Sequence, residues 1–492
     1  MSHKVRPLLA WLVILGAVAF ILWRNSTVSP LEKQKRDLVM MRLQSRYLVG
    51  LAELVERLLN YLNYLRGGSE REERFLNSKK SAREQLYKEA KANLNRGTYA
   101  QRLRFVVLAG ELKGPDEARE QLRRLDQRYH ERRGDPPAEE AEMARILGRI
   151  YAVQAEDPQA AASLPEDEQR EVRERLDWFG DLALAPAGAD DEEARAAVRT
   201  PAYRTALSVL VVSFVMLSVG VVGLALLVTL FVLWCLGRLR SGLTLGSPRH
   251  GVYVEAFALY MVLFLGLGVA VRYAIDGLAL RHGKLALSSL PALGSLAALG
   301  WPVLCGVPWR QVRQDIGWHT GRRPWLEPFL GAGCYALALP MLILGVVLLL
   351  ILTKLRDRLG WGPGEFDPSN APSHPIIFWA GNAGWWVWLE VLFLAGVVAP
   401  VVEETMFRGV LYRYLREASA GLRPALSVCF SALVVSFLFA VIHPQGFLGV
   451  PPLMALALAF TLMREWRGTL LPPMIAHGIN NAVATLLLFL MS

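Results

Sequence analysis

The stretch ALSVLVVSFVMLSVGVVGLALLVTLFVLWCL, residues 206–236, runs without one charged side chain. A helix needs about 20 consecutive apolar residues to cross a bilayer, so this run spans with length to spare. Lipid offers backbone N–H and C=O groups no partners, and the helix satisfies them within the segment itself. Similar runs recur at about 252–275, 286–307, 329–353, 385–407, 424–442, 448–463 and 469–490. Residues 7–23, PLLAWLVILGAVAFILW, add one more, flanked by Lys4, Arg6 and Arg24. Its end, Leu22-Trp23-Arg24, lacks a small-x-small cleavage pattern, so it reads as an uncleaved signal anchor. About nine spans result, with 448–463 short for a full crossing.

Residues 29–200 differ in kind, being rich in Arg, Glu, Ala and Leu and poor in β-branched residues, a helical composition. Leu48, Leu51, Leu54, Val55, Leu58, Leu59, Leu62 and Leu65 recur at three- and four-residue steps, the apolar stripe of an amphipathic helix. Further helices are expected around 81–95, 98–110, 116–133, 137–154 and 166–180, punctuated by Gly67-Gly68, Gly114-Pro115, Gly134-Asp135-Pro136-Pro137 and Pro158. Paired short helices hint at a repeat scaffold, but no 34-residue pattern recurs. The expected fold is all-α: a polytopic membrane helix bundle with an appended soluble helical domain. Its parts are an anchor (1–28), the extramembrane domain (29–200), additional spans (201–310) and a C-terminal core (311–492).

Of 492 residues 53% are hydrophobic and 20% charged, which excludes an ordinary soluble enzyme. The excess of 54 Lys+Arg over 44 Asp+Glu, +10, is the kind that gathers in cytoplasmic loops of membrane proteins, and no nucleic-acid partner is expected. Loops 237–251, 308–328, 408–423 and 464–468 hold three, four, four and two Lys or Arg, against two, three and none in 276–285, 354–384 and 443–447. That count places the first set in the cytoplasm and the 29–200 domain outside it. Cys235, Cys305, Cys334 and Cys429 lie in apolar runs without metal-ligand spacing and read as small buried hydrophobes.

Ionisable residues inside membrane helices are costly, so those that occur there point to function. They concentrate in the last part of the chain. In APVVEETMFRGV, Glu404 and Arg408 stand four apart on one helix face and can pair, leaving Glu403 turned about 100° away. In SFLFAVIHP, Phe439 precedes His443 by four residues, with Pro444 ending the helix. In PPMIAHGINNAV, His477 and Asn481 share a face. Each signal alone has a bland reading: a helix-end ion pair, an interfacial histidine, interhelical hydrogen-bonding glue.

The ordered set EExxxR, FxxxH and HxxxN on three hydrophobic helices resembles the CPBP family of intramembrane proteases, which includes the CAAX prenyl endopeptidases and the bacterial Abi proteins. The resemblance covers roughly residues 310–490, and the stretch GWHTGRRPWLEPFLGAG is similar to the family's lead-in. It implies an endopeptidase acting on proteins or peptides at the lipid bilayer, in which Glu403 and His443 activate a water. His477 and Asn481 then donate to the oxyanion, and Glu404 with Arg408, supported by Phe439, holds the helix carrying Glu403. Peptide hydrolysis needs those two services, an activated water and a stabilised oxyanion. The resemblance favours a mechanism with no cofactor. Zinc on Glu403, His443 and His477 stays open as an alternative, although HExxH is absent. The family branch and the anchor imply a bacterial inner membrane; oligomeric state is not specified. The competing class is a non-enzymatic scaffold or immunity protein that binds a partner through 29–200. A transporter fits less well, since no inverted repeat is evident. If every run simply crossed the bilayer, His443 would fall at the wrong depth. The 385–415 helix is therefore expected to exceed a minimal span, with the 424–443 helix tilted or the 448–463 segment not fully crossing.

Overall fold

The computed structural model describes residues 5–27, 30–65, 72–156, 164–185, 192–246, 251–277, 283–321, 323–360 and 384–492. Among them every regular element is helical. The chain divides into two compact units, Lys33–Ser213 with Leu490–Ser492, and Met1–Glu32 with Phe214–Phe489.

In chain order the helices begin with α1 (Val5–Ser26), α2 (Pro30–Leu65), α3 (Glu72–Leu94), α4 (Tyr99–Lys113), α5 (Pro115–Arg133), α6 (Ala138–Glu156), α7 (Glu166–Leu176), α8 (Trp178–Leu184) and α9 (Glu192–Cys235). The unit from Lys33 to Ser213 forms around α4, whose Phe105, Val106, Val107 and Leu108 are almost wholly buried. A capping box starts that helix: Thr98 Oγ1 accepts from the Gln101 N–H while Gln101 Oε1 accepts from the Thr98 N–H. Gly50 of α2 meets α9 so closely that a Cβ there would stand 1.9 Å from the Ala202 carbonyl oxygen. The buried Arg195–Glu111 pair (2.6 Å) ties α9 to α4. The expected helices at 98–110, 116–133 and 137–154 correspond to α4, α5 and α6, and the last expected helix divides at Asp177 into α7 and α8.

The second unit holds the membrane bundle. It continues with α10 (Gly251–Asp276), the short pieces α11 (Lys284–Leu287), α12 (Leu290–Ser295) and α13 (Gly300–Leu304), α14 (Trp309–Ile316) and α15 (Glu327–Arg358). Then come α16 (Trp385–Phe393), α17 (Ala399–Glu403), α18 (Tyr412–Ala418), α19 (Pro424–Val441), α20 (Gly446–Arg467) and α21 (Leu471–Met491). Nine helical stretches among the described residues are long and apolar enough to cross a membrane, so the protein is a polytopic helical membrane protein. The run expected at 286–307 is broken rather than smooth, with Pro291 and Pro302 opening new turns inside it. The 448–463 run is the middle of a 22-residue helix, α20, long enough to cross. From α16 to α18 the chain is one helical stretch, Trp385–Ala418, of 34 residues. At 1.5 Å per residue it is about 50 Å long, well beyond a ~30 Å hydrocarbon core.

α1 packs on α10 with Ile14 fully buried, and Glu255 of α10 accepts from both Arg6 (2.8 Å) and Trp301 (2.8 Å). The N-terminal span is thus part of the bundle's core. Between helices, small residues let backbones touch: a Cβ on Gly223 of α9 would stand 1.8 Å from the Ala336 carbonyl of α15. A buried ionic network closes one end. Asp315 holds Arg413 (3.2 Å) and Tyr253 (2.6 Å), Glu465 holds Arg416 (3.0 Å) and Tyr412 (2.9 Å), and Glu327 holds Arg467 (2.6 Å). Several arginines read as loop charges are therefore helical and enclosed. Arg408, Arg413, Arg416 and Arg464 are buried, and of the 408–423 set only Arg423 is exposed. Of the cysteines only Cys334 is buried; Cys235 and Cys429 are exposed on apolar helices, where lipid serves as well as protein.

Candidate active site

The helix carrying Glu403 is not uniformly α. Leu394–Val398 and Glu404–Leu411 are π-helical, with the single α turn of α17 between them. Such widened turns recur at functional sites, because they re-aim side chains that a regular helix would place elsewhere. Against the first of them, α21 approaches at its Gly478, where a Cβ would stand 2.6 Å from the Gly396 carbonyl oxygen.

Glu404 and Arg408 are both fully buried and pair at 3.0 Å. The guanidinium also donates to the Ala457 carbonyl (3.3 Å) and Thr461 Oγ1 (3.4 Å) of α20, and lies 4.3 Å over the Phe439 ring. Its charge is thus compensated on every side that the fold offers. Glu404 Oε1 takes a second partner, His477 Nδ1, at 2.9 Å. The His477 ring stacks on Phe460 and meets the edge of Phe439, and Phe439 in turn contacts the His443 ring at 4.3 Å. His443 Nδ1 lies 2.5 Å from the Phe439 carbonyl oxygen.

These contacts fix the tautomers. A carbonyl oxygen only accepts, so Nδ1 of His443 carries the proton; the Arg408-paired carboxylate likewise accepts from Nδ1 of His477. In the neutral rings both Nε2 atoms then present lone pairs. Both face Glu403: Oε2 stands 3.8 Å from Nε2 of His443 and 3.7 Å from Nε2 of His477. Glu403 Oε2 is itself buried without a hydrogen-bond partner. Such an atom costs about 1–3 kcal/mol unless something donates to it. The gaps are too wide for direct hydrogen bonds and of the size that one bridging water closes.

Of the residues singled out by sequence, the structure brings Glu403, Glu404, Arg408, Phe439, His443 and His477 into one cluster. Asn481, one turn beyond His477 on α21, has its hydrogen bonds elsewhere: Nδ2 donates to the Ala395 carbonyl at 2.8 Å and Oδ1 accepts from Asn480. Zinc fits the cluster poorly. Among the described residues no three His, Cys, Asp or Glu side chains are spaced to hold a metal ion. Bonds of ~2.0–2.1 Å in a tetrahedron bring ligand atoms within about 3.4 Å of one another, closer than the separations here. Phe460, Ala457 and Thr461 of α20 carry no signal in the sequence, since nothing marks them within an apolar run. Trp318, from the lead-in, donates to Thr405 (2.9 Å) beside the glutamate pair.

The fold and this cluster define a class: a polytopic membrane protein with an acid and two imidazoles enclosed between its helices. Residues 384–483 match a family model described as type II CAAX prenyl endopeptidase Rce1-like. That stretch contains every residue of the cluster. No curated protein and no solved structure matches the chain.

Proposed function

We propose that the protein is an intramembrane endopeptidase in which Glu403 activates a water that donates one hydrogen to its Oε2 and the other to Nε2 of His443. The observation that carries the reading is the convergence of His443 and His477 on an otherwise unpartnered carboxylate oxygen. The family described for residues 384–483 is one of prenyl endopeptidases, which supports the same chemistry.

The water oxygen attacks the scissile carbonyl carbon, and Glu403 takes its proton. The tetrahedral oxyanion collapses, the C–N bond breaks, and Glu403 returns the proton to the leaving amine. His443 accepts the water's second hydrogen and aims its lone pair. Before that return, the proton passes from Glu403 to Nε2 of His477, whose Nδ1–H is held by Glu404, and from there it is donated to the oxyanion. Asn481 retains one amide proton after serving Ala395 and is its proposed companion. No step is routed through a metal. The substrate class is a membrane-associated protein or peptide, tested first with peptides ending in a CAAX box, prenylated and unprenylated. A bacterial inner membrane is the proposed setting, with the 29–200 domain on its outer side.

The test is cleavage of a quenched-fluorescent CAAX-box peptide by the purified protein in proteoliposomes. Glu403→Ala and His443→Ala are expected to lose cleavage by at least ~10²-fold while inserting and melting like the parent. Cleavage by Glu403→Ala at the parental rate, or loss of activity only through loss of folded protein, sinks the proposal.

A further inference from the structure

We propose that Tyr260, on α10 and outside the family-matched stretch, donates its phenolic hydrogen to the scissile carbonyl oxygen as negative charge develops there. The proposal rests on the endopeptidase reading above.

Two rungs set the register between α10 and the helix that carries Glu403. Tyr253 and Arg413 meet on the two oxygens of Asp315. One turn up α10, Phe257 packs edge-on against Phe407, with ring centroids 5.1 Å apart. Rising along α10 thus means descending in number along its neighbour, and the two run antiparallel. The next turn of α10 brings Tyr260, and the turn before Phe407 brings Glu403. An electrostatic influence of Glu403 on Tyr260 agrees with that register.

Tyr260 is 4% exposed and its ring is held between Phe257 (5.6 Å) and Phe264 (6.0 Å). Its hydroxyl enters no hydrogen bond with a described residue, yet it is not one of the fully enclosed atoms left without a partner. Apart from the remaining amide proton of Asn481, the donors around Glu403 are committed in the resting state. The protons on both Nδ1 atoms are taken by Phe439 and Glu404, and Arg408 is engaged by Glu404, Ala457 and Thr461. Glu403 and the two Nε2 atoms are acceptors. An attacked carbonyl needs a donor before His477 acquires its second proton, and a rigid phenol beside Glu403 supplies one.

Tyr260→Phe keeps the ring and removes one oxygen. Loss of an oxyanion donor typically lowers kcat by ~10²–10³-fold. The variant is compared with the parent and with Glu403→Gln, using the CAAX-box peptides and a peptidyl aldehyde whose hydrate mimics the tetrahedral species. The expected result is a kcat lowered on the order of 10²-fold with KM unchanged, weaker aldehyde binding, and an unaltered pH profile. Parental kcat in Tyr260→Phe, or a loss accompanied by a displaced acid limb of the pH profile, overturns the role. If the parent cleaves nothing, or Glu403→Gln cleaves as well as the parent, the endopeptidase reading fails instead. Aldehyde affinity is normalised to folded protein, so partial misfolding of the variant does not distort the comparison.

Discussion

Arg408→Leu removes the cation from a pocket in which neither it nor Glu404 has any solvent exposure. Breaking a buried pair by deleting one partner typically costs about 3–5 kcal/mol, because the remaining charge is left uncompensated. Here the Ala457 carbonyl and Thr461 hydroxyl also lose a donor, while His477 still donates to Glu404, so the two departures from the typical case oppose each other. At roughly 2–4 °C per kcal/mol for chains of a few hundred residues, the melting temperature falls on the order of 10 °C. Membrane proteins often unfold irreversibly, so the comparison is made by tryptophan fluorescence in one detergent at one scan rate. Glu404→Gln/Arg408→Leu removes both charges and keeps an acceptor for His477 Nδ1. It is expected to regain at least ~1 kcal/mol over the single variant, a coupling typical of side chains in direct contact. A single variant as stable as the parent, or a double variant no better than the single, refutes mutual neutralisation as the reason these charges are buried.

Exhaustive chelation followed by buffer exchange is expected to leave kcat within about twofold of the starting value; loss of activity that added zinc restores contradicts the metal-free mechanism. In the unit from Lys33 to Ser213, burial disfavours the charge on Glu117, but hydrogen bonds from Tyr87, Lys113 and Gln121 outweigh it and hold the carboxyl down to about 2. Since that is below its ordinary value, the stabilisation is complete above pH ~4.5 and declines as pH falls from there towards 2. Hydrogen exchange of α3 to α5 in the whole protein, corrected for intrinsic rates, should accelerate over that window in the parent and not in Glu117→Gln. Equal pH dependence in both contradicts this.

The cluster is legible where function sits at fixed intervals on a helix. Four-residue steps put Glu404 with Arg408 and Phe439 with His443, and charge in apolar sequence singles out Glu403 and His477. What the sequence hides is contact between distant helices. Tyr260 is one aromatic among many in an apolar run, and its place opposite Glu403 follows from the antiparallel register with α10, which no local period encodes. The same holds for Phe460 and Thr461 beneath His477 and Arg408. The enclosed arginines mislead for a related reason. A string such as RGVLYRYLREAS looks like a basic loop until Asp315 and Glu465 are seen to meet it from other helices. The π-helical turns leave no trace in composition, and Asn481, placed by its spacing with His477, instead reaches Ala395 beside one of them.

Cleavage run in water enriched in oxygen-18, under single-turnover conditions, tests the activated water most directly. The account predicts one labelled oxygen in the new carboxylate of the product, no label in the enzyme peptide that contains Glu403, and no product from Glu403→Gln. Label appearing on Glu403, or labelled product formed at the parental rate by Glu403→Gln, contradicts it.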